Sequence, residues 1–160
     1  GTHARFCFED QLTMRYQIQE MLRIERIFEA GAIQEELDTY NPLVPDGRNL
    51  KATFMLEYDD IDQRKVMLQK LRGVEKQLWL EVEDMPRITP VADEDLEREN
   101  DEKTSSVHFL RFEFSIEQIA ALKQGAKLSL GIDTPLIEPN AMVVLDPIRS
   151  ALINDFDPAD

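Results

Sequence analysis

Polar and apolar residues alternate along 51–58, where Ala52, Phe54, Leu56 and Tyr58 share one side, and this period of two predicts a half-buried strand. The same pattern predicts strands near 5–8, 76–83, 87–92, 105–114 and 127–133, with a last short one at 142–145. Helical spacing takes over from about residue 11 to 29, behind a candidate N-cap at Asp10. A short second helix carries Ile33, Leu37 and Tyr40 and stops at Asn41-Pro42, because the residue before proline is pushed out of helical geometry. Asp60-x-x-Gln63 and Ser115-x-x-Gln118 are capping boxes, opening helices that end at Gly73 and Gly125. Asp146-Pro147 starts a final helix through Ile148, Ala151 and Leu152.

Residues 51–83 and 107–132 thus share one plan: strand, capping box, helix, glycine, strand. An internal duplication and a recurring β-α-β solution explain it equally well. Both units need a sheet covered by helices, so the expected fold is one α+β domain over residues 1–160, with a mixed or mostly antiparallel sheet and one long N-terminal helix.

Two runs place ionisable groups where the local period asks for core, which is costly unless those groups have partners. On the first helix, Arg15, Gln19, Arg23 and Arg26 fall in a strip roughly 80° wide. The wide remaining face holds Met14, Ile18, Met21, Leu22, Ile24 and Phe28, together with Gln17, Glu20 and Glu25. These three polar residues are expected to face the sheet; for Glu25, near the centre of that face, a buried ion pair with a strand arginine or an edge position reaching water stands against a pocket lined by all three. The second run is the strand from 107, where His108 shares a side with Leu110, Phe112 and Phe114 and so points inward. His108 is either a satisfied core histidine or the partner of a carboxylate from the first helix. Arg111 and Glu113 lie on the opposite side of that strand, the spacing of an ion pair. The candidate ligand-binding set is therefore Gln17, Glu20, Glu25, His108 and Arg111.

Charge narrows the partners. Eighteen basic against 32 acidic residues leave a net charge of −14. More than half of it sits at 92–103, with seven acids and two bases, and at 154–160, with three acids and no base. Residues 93–103 are expected to form an exposed, mobile loop and 154–160 an acidic tail. Such a chain, without a basic stripe, is repelled by phosphate backbones, which disfavours nucleic acid and anionic membranes as partners. Cys7 is the only cysteine, so no intrachain disulfide, CxxC pair or thiolate zinc cage can form; flanked by Phe6 and Phe8, it is expected to be a small buried thiol. No apolar run reaches the length of a membrane span and no signal-peptide pattern opens the chain, which fits the cytoplasm.

Missing motifs decide more than present ones. GxGxxG, P-loop, GxSxG and CxxC patterns are absent, as are the HExxH, HxxxH and ExxH spacings of metal-binding helices. No metal or cofactor is indicated.

Long stretches resemble a known family. The run from Phe8 to Phe28, the segment Tyr40-Asn-Pro-Leu-Val-Pro-Asp-Gly47, Asn49–Phe54 and Asp101–Phe112 are similar to the bacterial domain-of-unknown-function family numbered 3501, and the likeness covers essentially the whole chain. In that family a further N-terminal segment precedes this start, so the resemblance implies a truncated N-terminus. By gene company it implies a place beside rubrerythrin-type and iron–sulfur/flavin oxidoreductase proteins. Lacking cluster cysteines, this chain would then assist redox or peroxide chemistry rather than carry electrons.

Two functions follow as expectations. The first is a non-catalytic accessory or protein-binding factor of the cytosol, working with such a redox protein. The alternative is a small-ligand or metal-dependent enzyme using the Glu/Gln/His cluster. Homo-oligomerisation stays open.

Overall fold

Strand alternation resolves into two antiparallel sheets in the computed structural model, which describes residues 1–94 and 97–158. The strands are β1 (Ala4–Glu9), β2 (Asn49–Leu56), β3 (Leu78–Val82), β4 (Val91–Ala92), β5 (Val107–Glu113), β6 (Leu128–Ile132) and β7 (Ala141–Val143). One sheet has the order β1-β2-β5-β4 and the other β3-β6-β7. Helices α1 (Gln11–Glu25), α2 (Ala30–Tyr40), α3 (Ile61–Lys70), α4 (Ile116–Lys123) and α5 (Ile148–Asn154) complete an α+β fold. Among the described residues, no helix is long and apolar enough to cross a membrane.

The repeated plan has a structural counterpart. Each β-α-β unit sends its first strand to one sheet and its second to the other: β2 pairs with β5, and β3 with β6, both antiparallel. The inward residues Leu50, Ala52 and Phe54 on β2 stand opposite Phe112, Leu110 and His108 on β5. With Leu80 and Val82 from β3 and Leu128 from β6 they belong to one continuous buried cluster, His108 sitting among its apolar members. Full burial of each such Leu, Val or Phe contributes about 1.5–3 kcal/mol. At the second sheet, Gly131 stands opposite Trp79, and a Cβ there would lie 2.0 Å from the indole. Glycine alone leaves that ring its place, under the Arg87 guanidinium 3.9 Å from its centroid.

Several boundaries differ from the periodicity. Helix α1 stops at Glu25 rather than 29, because Arg26 adopts a left-handed conformation (φ 54°) whose N–H bonds the Leu22 carbonyl. The strand expected at 87–92 is divided. Ile88 exchanges backbone hydrogen bonds with Leu80 of β3, whereas Val91 and Ala92 pair with β5, so this segment passes from one sheet to the other around Pro90, which has no N–H to donate.

The acidic stretch is not a solvated loop throughout. Asp93, Arg98 and Glu99 are half-buried and Thr104 is fully buried. Glu99 accepts from the Gly73 N–H, the Thr104 N–H donates to the Leu68 carbonyl, and the Ser105 N–H donates to the Arg98 carbonyl. The expectation at 95 and 96 lies outside the described residues. The acidic tail is likewise tied down in part: Asn154 closes α5, Phe156 is buried with its ring 5.0 Å from that of Phe114, and the Asp157 N–H donates to the Gly47 carbonyl. Residues 159 and 160 lie outside the described residues.

Candidate functional site

Helix α1 does not carry the expected buried carboxylates. Gln17 and Glu25 are exposed, and Glu20 is half-buried and paired with Arg23 one turn along, 2.9 Å between Oε2 and Nη2. The Arg23 hydrogen bond holds the Glu20 carboxyl below its ordinary range. Only Met14 and Ile18 are fully buried, because α1 packs chiefly against α2 and lays a narrow strip toward the sheet. On the wide apolar face Met21 and Leu22 are half-buried, while Ile24 is 62% exposed and Phe28 just beyond the helix 83%; Leu12 and Tyr16, 72% and 64% exposed, also stand in water.

His108 does point inward, as strand alternation requires, and is completely buried. Its partner comes from the acidic stretch. Nδ1 lies 2.6 Å from Asp93 Oδ2, while Nε2 lies 2.9 Å from Thr104 Oγ1 and 3.1 Å from the Ser105 carbonyl. Both ring nitrogens of His108 thus have polar partners inside the core. Asp93 takes this position from a left-handed backbone (φ 54°) just beyond β4. Its N–H donates to the Phe109 carbonyl at 2.8 Å, and its Oδ1 accepts the Phe109 N–H at 3.0 Å. The carboxylate thereby extends the β4–β5 ladder by one step and anchors the imidazole.

Hydroxyl, imidazole and carboxylate stand in the order of a nucleophilic triad, yet the geometry denies that chemistry. Thr104 is 1% exposed, and its Oγ1 faces the core rather than a cleft. The cluster pins the segment 93–108 onto β5.

Arg111 opens outward on the other side of β5. Its Nε and Nη2 donate to Glu94 Oε2 and Oε1 at 2.9 and 2.7 Å, and Nη1 donates to Glu113. These bonds raise the Arg111 pKa further above its ordinary value, and Arg111 holds the Glu94 carboxyl below the usual range. Lys51 stands directly across from Arg111 on β2 and donates to the Pro42 carbonyl at 2.9 Å. Lys51, Arg98 and Arg111, together with Asp38 and Glu94, line an open groove of about 570 Å³ between the end of α2 and the outer side of the first sheet, and Arg98 is paired with Asp93 there at 3.4 Å. Tyr40, Leu43 and Phe109 also line it, and the same three residues line a second groove of about 750 Å³ running under α1 past Met14, Met55 and Val107. A third opening of about 440 Å³ lies between β1 and the β6–β7 pair, where Phe6, Leu130 and Ile137 are among the lining.

Of the five candidate residues, then, the fold brings none of the α1 residues to His108, and it places Arg111 on the opposite side of β5 from the imidazole. Asp93, Lys51 and Glu94 escaped the sequence reading. One signal could have found Asp93: a strand ending at Ala92 and a strand opening at Val107 are consecutive and antiparallel, which sets the residue after the first beside the start of the second. Cys7 is half-buried on the outer side of β1, and burial, then the nearby Glu9, pushes its thiol pKa up, which disfavours thiolate chemistry. Among the described residues no three His, Cys, Asp or Glu side chains are grouped as metal ligands.

The family model described as "Protein of unknown function (DUF3501)" matches residues 1–156. A solved structure of a protein of unknown function from Burkholderia pseudomallei K96243 is similar, with 50% sequence identity and a TM-score of 0.90 over 98% of this chain and 81% of that one. No curated protein matches.

Proposed function

We propose a function from one premise: the chain belongs to the DUF3501 family of proteins of unknown function. On that premise the protein is a non-catalytic binding factor that docks a redox protein through α1 and the segment that follows it. One observation carries the reading: Leu12, Tyr16, Ile24 and Phe28 are each more than 60% exposed on and just after a helix that commits only Met14 and Ile18 fully to the core. Apolar and aromatic side chains this open, interleaved with arginine, have the composition of an interface centre. Arg15, Arg23 and Arg26 are exposed beside them and are balanced by Glu20, Glu25 and Glu29, with Glu20 held by Arg23, so this face offers charges of both signs for the polar rim of an interface. The gene company implied by the family resemblance supplies the partner class, a rubrerythrin-type or iron–sulfur/flavin oxidoreductase protein. The buried Asp93–His108–Thr104 cluster supports a binding rather than a catalytic role, since its reactive groups face the core.

The test is titration calorimetry of this protein against purified members of both partner classes. Saturable binding to one of them is expected, and Ile24→Asp with Phe28→Asp should weaken it by about 30-fold or more, the effect of losing an interface hot spot. Both side chains are exposed, so the circular dichroism melt should be unchanged. No binding to either class, binding indifferent to these substitutions, or turnover of a metabolite by the protein alone would overturn the reading.

A further inference from the structure

The two sheets make an incomplete barrel. On one side the segment 88–92 joins them, bonding Leu80 of β3 at one end and β5 at the other. At the unjoined ends stand β1 and β7, the last strands of their sheets. The opening of about 440 Å³ lies between these two edges, with Phe6 on one side and Ala141 and Met142 on the other. We propose that a second copy of this chain covers this seam, pairing its own β7 antiparallel with β7 about a two-fold axis at Val143. This surface is separate from the docking surface on α1 and does not depend on it.

The first observation is which backbone groups β7 leaves over. The Val144 N–H donates to the Leu128 carbonyl and the Ile132 N–H to the Asn140 carbonyl, so the even-numbered residues of β7 turn their backbone toward β6. Alternation then points the N–H and C=O of Ala141 and Val143, and the N–H of Leu145, away from the sheet. The Leu145 carbonyl already takes the Arg149 N–H. Such a row is a template for another strand, and proteins blunt it with charge where it must stay bare. Here residues 139–145 carry no charge, in a chain with 31% charged residues. Met142, Val143 and Leu145 are exposed instead, with Ile148 beyond them.

The second observation selects the occupant. In the antiparallel register centred on Val143, that residue lies opposite its own counterpart and Ala141 opposite Leu145, so each outward position meets an outward position. Just beyond the strand Asn140 comes opposite Asp146, an amide facing a carboxylate, and Glu138 comes opposite Ile148. No acid meets an acid, a condition that matters when both copies carry a net charge of −14. The other edge of the seam obeys the same symmetry. The Glu57 N–H donates to the His3 carbonyl, which sets the odd-numbered residues of β1 toward β2 and turns Phe6 and Phe8 outward. About Phe6, Arg5 comes opposite Cys7 and His3 opposite Glu9. Both edges are thus compatible with their own copies, the mark of an isologous contact. The rotation that pairs β7 with β7 also sets seam against seam, which covers the apolar lining at Phe6, Leu130 and Met142.

Sedimentation equilibrium of the isolated protein between about 1 and 300 µM tests this, a window that spans the affinities of a small interface. A concentration-dependent rise from the chain mass of 18.5 kDa toward twice that value is expected. Val143→Asp places two like charges together at the axis and should weaken the dimer at least tenfold. Ile61→Asp, on an exposed residue of α3, should leave it unchanged. Cross-linking reads the register independently. In a Cys7→Ser background, Val143→Cys should form an intermolecular disulfide with diamide at least tenfold faster than Ile148→Cys, which is exposed but far from the axis. That comparison decides even where Val143→Asp disturbs the fold. A monomer at every concentration, a dimer that folded Val143→Asp leaves intact, or equal cross-linking through the two cysteine variants would overturn the proposal. Each of these is read without a redox protein present, so this result and the docking result stand apart.

Discussion

Replacing Asp93 by alanine should lower stability by about 3–5 kcal/mol, because it leaves a buried imidazole facing an empty acceptor position and frees the Phe109 N–H as well. The size follows from burial: the His108 side chain is 0% exposed and that of Asp93 12%, so water cannot replace the lost partner. In a chain of 160 residues that loss corresponds to a melting temperature lower by about 10 °C or more. Asp93→Asn should fall between, since the amide oxygen can still accept a hydrogen bond while the charge is gone. Urea denaturation followed by circular dichroism reads both. A loss below about 1 kcal/mol for Asp93→Ala would show that the cluster does not hold the segment 93–108 to β5.

Phe112→Ala should cost a similar amount, about 3–5 kcal/mol, for a different reason. Phe112 is completely buried between the sheets, with its ring 6.1 Å from that of Phe6, and its removal opens a cavity that rigid strands cannot close. Arg111, its chain neighbour, points the other way. Alternation on β5 thus puts the packing residue on the inner side and the ion-paired Arg111 on the outer side. Denaturation midpoints should drop sharply for Phe112→Ala and little for Arg111→Met. Equal stability losses in the two variants would contradict that division.

How much of this was legible follows from which interactions are local. Strand alternation is local, so the inward set Ala52, Phe54, Leu56 and the inward His108 were readable from period alone. Caps are local too: Asp10 accepts from the Thr13 N–H at 2.7 Å, Asp60 from the Gln63 N–H at 2.7 Å, and Ser115 with Gln118 forms a complete capping box. The burial of an amphipathic helix is not local. A wheel shows which side of α1 is apolar but not how much of it another element covers; here only Met14 and Ile18 are fully covered, so Gln17 and Glu25 stay in water. The partner of His108 was hidden for a related reason. Asp93 sits 15 residues away in a run whose composition reads as solvated, and it is useful because a left-handed turn after β4 aims it back at β5. Composition reports the average of such a run and misses the one carboxylate that the chain folds inward. The Lys51–Arg111 juxtaposition depends on register between distant strands, which no single-strand pattern contains.

Hydrogen exchange read by mass spectrometry, with and without the redox partner, tests the docking account most directly. Slowed exchange in peptides spanning residues 11–28, where Leu12, Tyr16, Ile24 and Phe28 stand exposed, is the predicted result. Protection confined instead to the second exposed apolar strip, at Met142, Val143, Leu145 and Ile148 along and beyond β7, or no change at 11–28 under saturating partner, would contradict it.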